Sequence, residues 1–266
     1  MVELKRPNIQ GGIRTGFDKN LQDYKKDIPQ LFYYNLFVLI SDGIETRIGS
    51  FNAPWEHFFE WKRLDEKREA ELSLEIASRG LCAKEKLLDY LENFVLYHKK
   101  SKKIIAKNHQ FLGVNATVEA LKKSENGGKL GTFWHTQGSG KSYSMIFFTK
   151  KVEQKLKGNW SFLILTDRND LDEQIFKNFL DTGTFKLGRS EKSEKNQYQA
   201  KGEQSRKQLA EALGKNKRYY FSTIFNFGIE KGNEKSWLKM RLFIIMFMAW
   251  QSRGMNGIFV LKSRRV

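Results

Sequence analysis

An α/β fold with a parallel sheet is predicted for the second half of this 266-residue chain, and three observations predict it. A strand-like run from Leu130 to His135 enters a glycine-rich turn and leaves as a helix from Lys141 to about Leu156. A strand of buried type, Phe162 to Thr166, is followed by a helix from Asp170 to Leu180. A third strand-like run spans Tyr219 to Ile224. Strand, turn, helix, strand in repetition is the pattern of a parallel sheet, because parallel neighbours need a crossover that a helix supplies.

The elements follow in order. Up to about Trp61 the chain mixes apolar runs with turn signals: a Gly11-Gly12 break, the amphipathic DKNLQDYKKDIPQLF, then LFVLISDG. Leu36 to Ser41 reads as a buried strand closed by Asp42-Gly43. From Arg63 to about Lys103 the apolar period turns helical, with Leu87, Leu88, Leu91, Phe94 and Val95 as its stripe. The basic run HKKSKK, His98 to Lys103, is expected to be a hinge between domains. In the second half, Asp170 is expected to cap its helix, with Asp172 and Glu173 in the first turn. Lys186 to Arg218 carries ten basic and four acidic residues, and reads as an exposed insertion.

Charge narrows the partners. Forty-seven Lys and Arg against 30 Asp and Glu give a net +17 and an isoelectric point near 9.7. That balance suits a polyanion, either nucleic acid or a membrane surface, although lysine-rich faces also serve solubility alone. A single cysteine, Cys82, excludes an internal disulfide framework. His57, His98, His109 and His135 lie far apart, so no zinc site is readable. MVELKRPNIQGG lacks the apolar stretch of a signal peptide. Leu242 to Trp250 is apolar for nine residues, well short of the roughly 20 a membrane helix needs. A soluble, cytoplasmic protein without a membrane partner is expected.

The stretch HTQGSGKSYS, residues 135–144, ends like a phosphate-binding loop. Glycines there allow turns closed to other residues, so that successive N–H groups face an anion. Gly138 and Gly140 supply that freedom, Lys141 the charge and Ser142 a hydroxyl for magnesium, with the following helix N-terminus adding positive potential. His135 stands where the pattern G-x-x-x-x-G-K-[ST] wants its first glycine.

Around this loop, KNHQFLGVNATVEAL, FWHTQGSGKSYSM and LILTDRNDLDEQI resemble the first motor lobe of the R (restriction and translocation) subunit of type I restriction enzymes. In that family Trp, His, Thr and Gln directly precede the glycine loop, so His135 fits its own variant. The resemblance implies a RecA-like lobe of superfamily 2 helicase type. It implies ATP and Mg²⁺ as cofactors, held by Gln110 for adenine and by Thr136, Gln137, Gly138, Ser139, Gly140, Lys141 and Ser142. TDR, residues 166–168, resembles a second motor motif near the DNA track. Arg168 there contacts a phosphate or pairs with Asp170 or Asp172. YYFSTIFNF resembles a third motif, usually T-T-I-Q-x-F, with Ser222 and Thr223 as DNA-backbone contacts and Phe225 in place of the glutamine.

The N-terminal segment resembles the end of the family's PD-(D/E)xK nuclease domain, through MVELKRP, YKKDIPQLFYYN and LISDGIETRIGSF. Glu3 then corresponds to the metal-binding acid and Lys5 to the catalytic lysine, which two residues on shares a strand face with Glu3. Two departures stand out. The family's upstream aspartate would precede Met1. Its Q-x-x-x-Y element has Asn20 in the glutamine's place before Tyr24, with Gln22 nearby.

A motor also needs an acidic pair after a hydrophobic strand to order Mg²⁺ and water. The family writes D-E-A-H. LFIIMFMAW stands about where that strand belongs, yet no Asp or Glu follows Glu234. The acid-free tail resembles a frameshifted stretch. The expected organisation is therefore the C-terminal part of a nuclease domain at 1–62, a helical connector at 63–103, a partial RecA-like lobe at 104–235 and an aberrant tail at 236–266. The expected function is that of a truncated, catalytically incomplete R-subunit fragment whose parent couples ATP-driven translocation of double-stranded DNA to cleavage, with modification and specificity subunits as partners. The alternatives are a non-enzymatic basic DNA-binding remnant and a piece of another superfamily 2 helicase.

Overall fold

A parallel pair opens the chain because a helical crossover separates its strands. In the computed structural model, β1 (Val2–Leu4) pairs with β2 (Val38–Ser41) in the register Glu3 with Ile40, and β2 pairs antiparallel with β3 (Thr46–Gly49). The structure describes residues 1–7, 11–64, 73–123, 128–136, 138–158, 160–166, 168–184, 197–199, 217–223, 241–249 and 255–262. Between β1 and β2 the chain forms α1 (Gly12–Thr15), a π-helical turn (Gly16–Asn20) and α2 (Leu21–Asp27). Their inner face, Ile13, Phe17 and Leu21, closes on Phe32, Val38, Ile40, Ala53 and Phe58. As the sequence predicts, β2 is buried along its whole length and ends at a turn. There Asp42 Oδ1 accepts the N–H of Ile44 and of Glu45 at 3.0 and 2.8 Å.

The stretch expected to be helical, from Arg63 to about Lys103, is helical only in part of its described residues. Its described elements are α3 (Ser73–Ala77), a π-helical turn (Ser78–Cys82), α4 (Lys84–Asn93), and a hairpin of β4 (Val95–His98) and β5 (Lys102–Ile105). Leu88 and Leu91 are each 55% exposed, while Tyr90 and Asn93 face inward. An aromatic cluster decides this orientation. Tyr90 packs on Trp61, Phe94 and Phe111, and its O–H donates to the Ala106 carbonyl at 2.5 Å. A buried tyrosine with its hydroxyl satisfied outweighs two leucines on the opposite face. HKKSKK is the tip of the β4–β5 hairpin and no hinge. The chain divides into two compact units after Leu112, inside α5 (Asn108–Lys123).

The second unit is α/β, with strands β6 (Gly128–His135), β7 (Trp160–Thr166), β8 (Gln197–Gln199), β9 (Tyr219–Thr223), β10 (Arg241–Ala249) and β11 (Met255–Lys262). Helix α6 (Lys141–Lys155) follows β6 and α7 (Asn169–Asp181) follows β7. The sheet order is β6-β10-β11-β7-β9-β8. Parallel pairing holds for β6 with β10, β7 with β9 and β9 with β8. Strand β11 runs antiparallel to both β10 and β7, so the sheet is mixed where a parallel one is expected. The five residues 250–254 between β10 and β11 explain this, being too few for a parallel crossover. The core lies between α6 (Met145, Ile146, Phe147, Phe148, Val152), β7 and β9 (Phe162, Leu163, Ile164, Tyr219, Tyr220, Phe221) and α7 (Ile175, Phe179). Arg168, in extended conformation, occupies the N-cap of α7 and makes no side-chain cap, so Asp170 is a first-turn acid and not the predicted cap. Strand β8 falls in the polar insertion, most of which lies outside the described residues.

Candidate functional site

Strands β6, β7 and β9 point the same way, so His135, Thr166 and Thr223 end them at one edge of the sheet. The carboxyl edge of an α/β sheet is where ligands sit. After β6 the backbone turns through Gly138 at φ 74° and Gly140 at φ 85°, both in the left-handed region. Nothing lies within 4 Å of a Cβ built on Gly138, so its glycine serves conformation and not crowding. Gly140 is the N-cap of α6, and its carbonyl receives the N–H of Tyr143 and of Ser144 at 3.0 and 3.1 Å.

Two contacts close the loop on Thr136. The N–H of Ser139 donates to the Thr136 carbonyl at 3.4 Å, and Lys141 Nζ donates to the same oxygen at 3.0 Å. Partial burial pulls the Lys141 ammonium below the ordinary lysine range. No acid occupies the first turn of α6, which leaves the positive end of the helix unopposed, and Ser142 is its second residue. This donor set fits a phosphate. Gln137 and Asp167 lie outside the described residues, and His135 is placed only by its backbone, opposite Ala249 of β10. No Asp or Glu occurs in β10 or β11, so neither strand offers a carboxylate to a magnesium ion.

Thr166 and Thr223 are register partners at that same edge. The Thr166 hydroxyl donates to the Arg168 carbonyl at 3.3 Å. Ser222 is fully buried and its hydroxyl turns to the Thr223 carbonyl at 3.3 Å. Gln110 is buried in the first unit, where its Oε1 accepts the Lys107 N–H at 2.8 Å and closes the first turn of α5 as a capping-box glutamine does.

The first unit holds a second constellation. Lys5 Nζ lies 2.9 Å from Glu3 Oε1, and Asn20 Nδ2 donates to that oxygen at 2.8 Å. The Tyr24 hydroxyl donates to Glu3 Oε2 at 3.3 Å. Glu3 and Lys5 share a face because they are two residues apart in extended chain, and the Lys5 N–H continues the β1–β2 ladder to Ser41 at 2.8 Å. Asn20 and Tyr24 share a face because they are four apart on a helix. The sequence marks Asn20 as a departure, yet its shorter amide reaches the same carboxylate, and the four-residue spacing was the available signal. Gly16 lets the helix approach: a Cβ there would stand 2.9 Å from Ile40 Cγ2 and 3.0 Å from Lys5 Cε. Among the described residues no three His, Cys, Asp or Glu side chains gather as a metal cluster. At most two such side chains therefore meet at Glu3 among the described residues, which fits Mg²⁺ only as an ion that keeps several waters. Among the described residues no helix is long and apolar enough to cross a membrane.

Comparison with known proteins gives two family matches. Residues 109–258 match the SWI2/SNF2 ATPase family, and residues 1–57 match the type I restriction enzyme R protein N terminus. The first match runs past Glu234 through β10 and into β11. The HindI endonuclease subunit of a type I restriction enzyme from Haemophilus influenzae is 40% identical over 193 residues, covering 67% of this chain and 18% of that protein. A Methanocaldococcus jannaschii protein bearing the name of a type I endonuclease subunit, MjaIXP, is 34% identical over 205 residues, with 67% and 19% covered. The SauCOLORF180P endonuclease subunit of Staphylococcus aureus is 26% identical over 182 residues, with the same coverage. The chain thus spans about a fifth of the length of these relatives.

Proposed function

Because the chain belongs to the R-subunit family of type I restriction enzymes, we propose that it binds ATP and DNA for a restriction system that couples ATP-driven translocation to cleavage. Residues 1–62 are read as the C-terminal part of a PD-(D/E)xK nuclease domain, 63–103 as a connector and 104–235 as a partial RecA-like motor lobe. Modification and specificity subunits are its proposed protein partners.

In the motor lobe, the N–H groups of residues 138 to 142 and the α6 N-terminus hold the phosphates. Lys141, which now donates to the Thr136 carbonyl, would bind a phosphate oxygen, and the Ser142 hydroxyl would help hold Mg²⁺. Bound Mg²⁺ would neutralise phosphate charge. Arg168 and Thr223 are proposed for the DNA side. In the nuclease unit Glu3 would hold Mg²⁺, Lys5 stands beside it to assist water, and Asn20 and Tyr24 orient the carboxylate.

The observation that carries the reading is the loop itself, with two left-handed glycines and a lysine that donates to the loop's own Thr136 carbonyl. The sequence also limits it, since residues 235–266 contain no Asp or Glu that could orient water. This polypeptide is therefore expected to bind ATP without turnover. Titration with a fluorescent ATP analogue tests this: wild type binds, Lys141→Ala does not, and neither releases phosphate above background. ATP hydrolysis that Lys141→Ala abolishes would overturn the claim of no turnover, and absence of binding by wild type would overturn the nucleotide site. The acid-free tail and net +17 favour a second reading, a DNA-binding module without enzymatic activity. Nucleotide-independent duplex binding that collapses with salt supports that reading.

A further inference from the structure

The tip of the β4–β5 hairpin is built against its own conformational preference. The Ser101 N–H returns to the His98 carbonyl at 3.2 Å, which makes residues 98–101 a tight turn with Lys99 and Lys100 at its centre. Both have positive φ, 49° and 62°, and they are the two positive-φ residues other than glycine among those described. A two-residue hairpin turn of this kind selects Asn-Gly, because left-handed backbone crowds any longer side chain. Two lysines in the two least suitable positions mark a place where the side chain matters more than the turn.

The surroundings are those of a rigid cationic point. Lys99, Lys100 and Lys102 are exposed, and among the described residues no carboxylate pairs with any of them. Lys103, next along the strand, points inward instead, where it is buried and donates to the Asn35 carbonyl. Asn52 Nδ2 donates to the Ser101 carbonyl at 2.9 Å. The tip is thus tied to the rest of the unit at two points. Its field is felt nearby: burial, then Lys102 and Lys107, hold the His57 imidazolium below its usual range.

We propose that this hairpin tip, through Lys99, Lys100 and Lys102, is a phosphate-backbone contact for double-stranded DNA on the first unit. Compact ammonium groups on a fixed turn suit the point charges of phosphates and read no sequence. The inference rests on DNA being the partner of this chain, and it adds where part of that contact is made.

The test uses the full 266-residue chain and a 20-base-pair duplex of arbitrary sequence, with affinity measured across a salt series. Lys99→Asn with Lys100→Gly installs the turn's preferred residues and should raise the melting temperature. If both lysines meet phosphates, the same variant should make the slope of log affinity against log salt shallower by about 1.8, at about 0.9 per contact. Lys99→Arg with Lys100→Arg should keep the slope. An unchanged slope in the Asn-Gly variant, while wild type binds duplex in a salt-sensitive way, overturns the hairpin contact and leaves DNA binding standing. Wild type that fails to bind duplex at low salt overturns both. An affinity loss seen on phosphatidylserine vesicles and not on duplex also overturns it, in favour of a membrane surface.

Discussion

Asn20 donates to Glu3 across the first unit at 2.8 Å, onto the oxygen that Lys5 reaches at 2.9 Å. With Tyr24 on the other oxygen, a half-buried carboxylate has three protein donors. Asn20→Ala should cost about 1 to 2 kcal/mol, because it strips a hydrogen bond from a charged group. Asn20→Gln should restore most of it, since the longer amide still reaches from the same helix face. Tyr24→Phe should cost less, its bond being the longest of the three. Urea unfolding of the three variants orders these effects, and equal losses for Asn20→Gln and Asn20→Ala would contradict the geometry.

Gly113 sets the distance between α5 and the strand that feeds the phosphate loop. A Cβ there would overlap the ring of Phe133 in β6, coming within 2.5 Å of its Cζ. Alanine gains up to about 1 kcal/mol over glycine in a helix, whereas overpacking a core costs about 1 to 3 kcal/mol. The ring is buried and cannot swing into solvent, so the second effect should win. Gly113→Ala should lower the melting temperature and weaken nucleotide binding together. A more stable protein would show that the helix shifts freely.

How far these sites were legible in the sequence follows from the kind of signal each gave. The loop at 135–144 was legible because glycine, lysine and serine spacing encodes backbone and charge directly. Strands β2, β7 and β9 were legible as apolar runs closed by turn residues. The α4 stripe failed because Leu88 and Leu91 have the same period as a core face, and only the contacts of Tyr90 decide which face turns inward. The hairpin at HKKSKK was missed since Lys-Lys carries no turn signal. Strand β11 was missed because a short apolar run does not reveal its direction. The Asn20–Glu3 bond spans 17 residues and two elements, beyond the reach of local pattern.

Glu153 ties pH to the stability of the second unit. Burial raises its pKa above 4.5, against the Tyr219 hydroxyl at 2.7 Å, the Arg218 guanidinium at 3.5 Å and Lys150. The folded protein therefore holds this proton more tightly than the unfolded chain. Stability from the protonated form is full below 4.5 and is lost as pH rises through the higher folded value. Glu153→Gln should flatten that part of the stability–pH curve, measured by urea unfolding from acid to neutral pH. Tyr219→Phe, which leaves the carboxylate short of a donor, should destabilise by about 1 to 2 kcal/mol at neutral pH. An unaltered curve in Glu153→Gln would remove Glu153 as its source.

Lys141 should make nucleotide binding fall at alkaline pH earlier than an ordinary lysine would. Burial lowers its pKa in the free protein from 10.5, and the Thr136 carbonyl is a neutral partner that holds the ammonium less well than a phosphate would. A bound triphosphate favours the charged form, so binding is coupled to proton uptake once pH exceeds the free-protein value. Affinity for an ATP analogue should stay level through neutral pH and then decline before 10.5 is reached. Lys141→Arg, which stays charged throughout, should bind more weakly at neutral pH because its fork does not fit the same carbonyl-lined loop, but should lose the alkaline decline. A decline of the same midpoint in Lys141→Arg would assign it to another group, and Tyr143, whose pKa burial raises, is the neighbour to examine then.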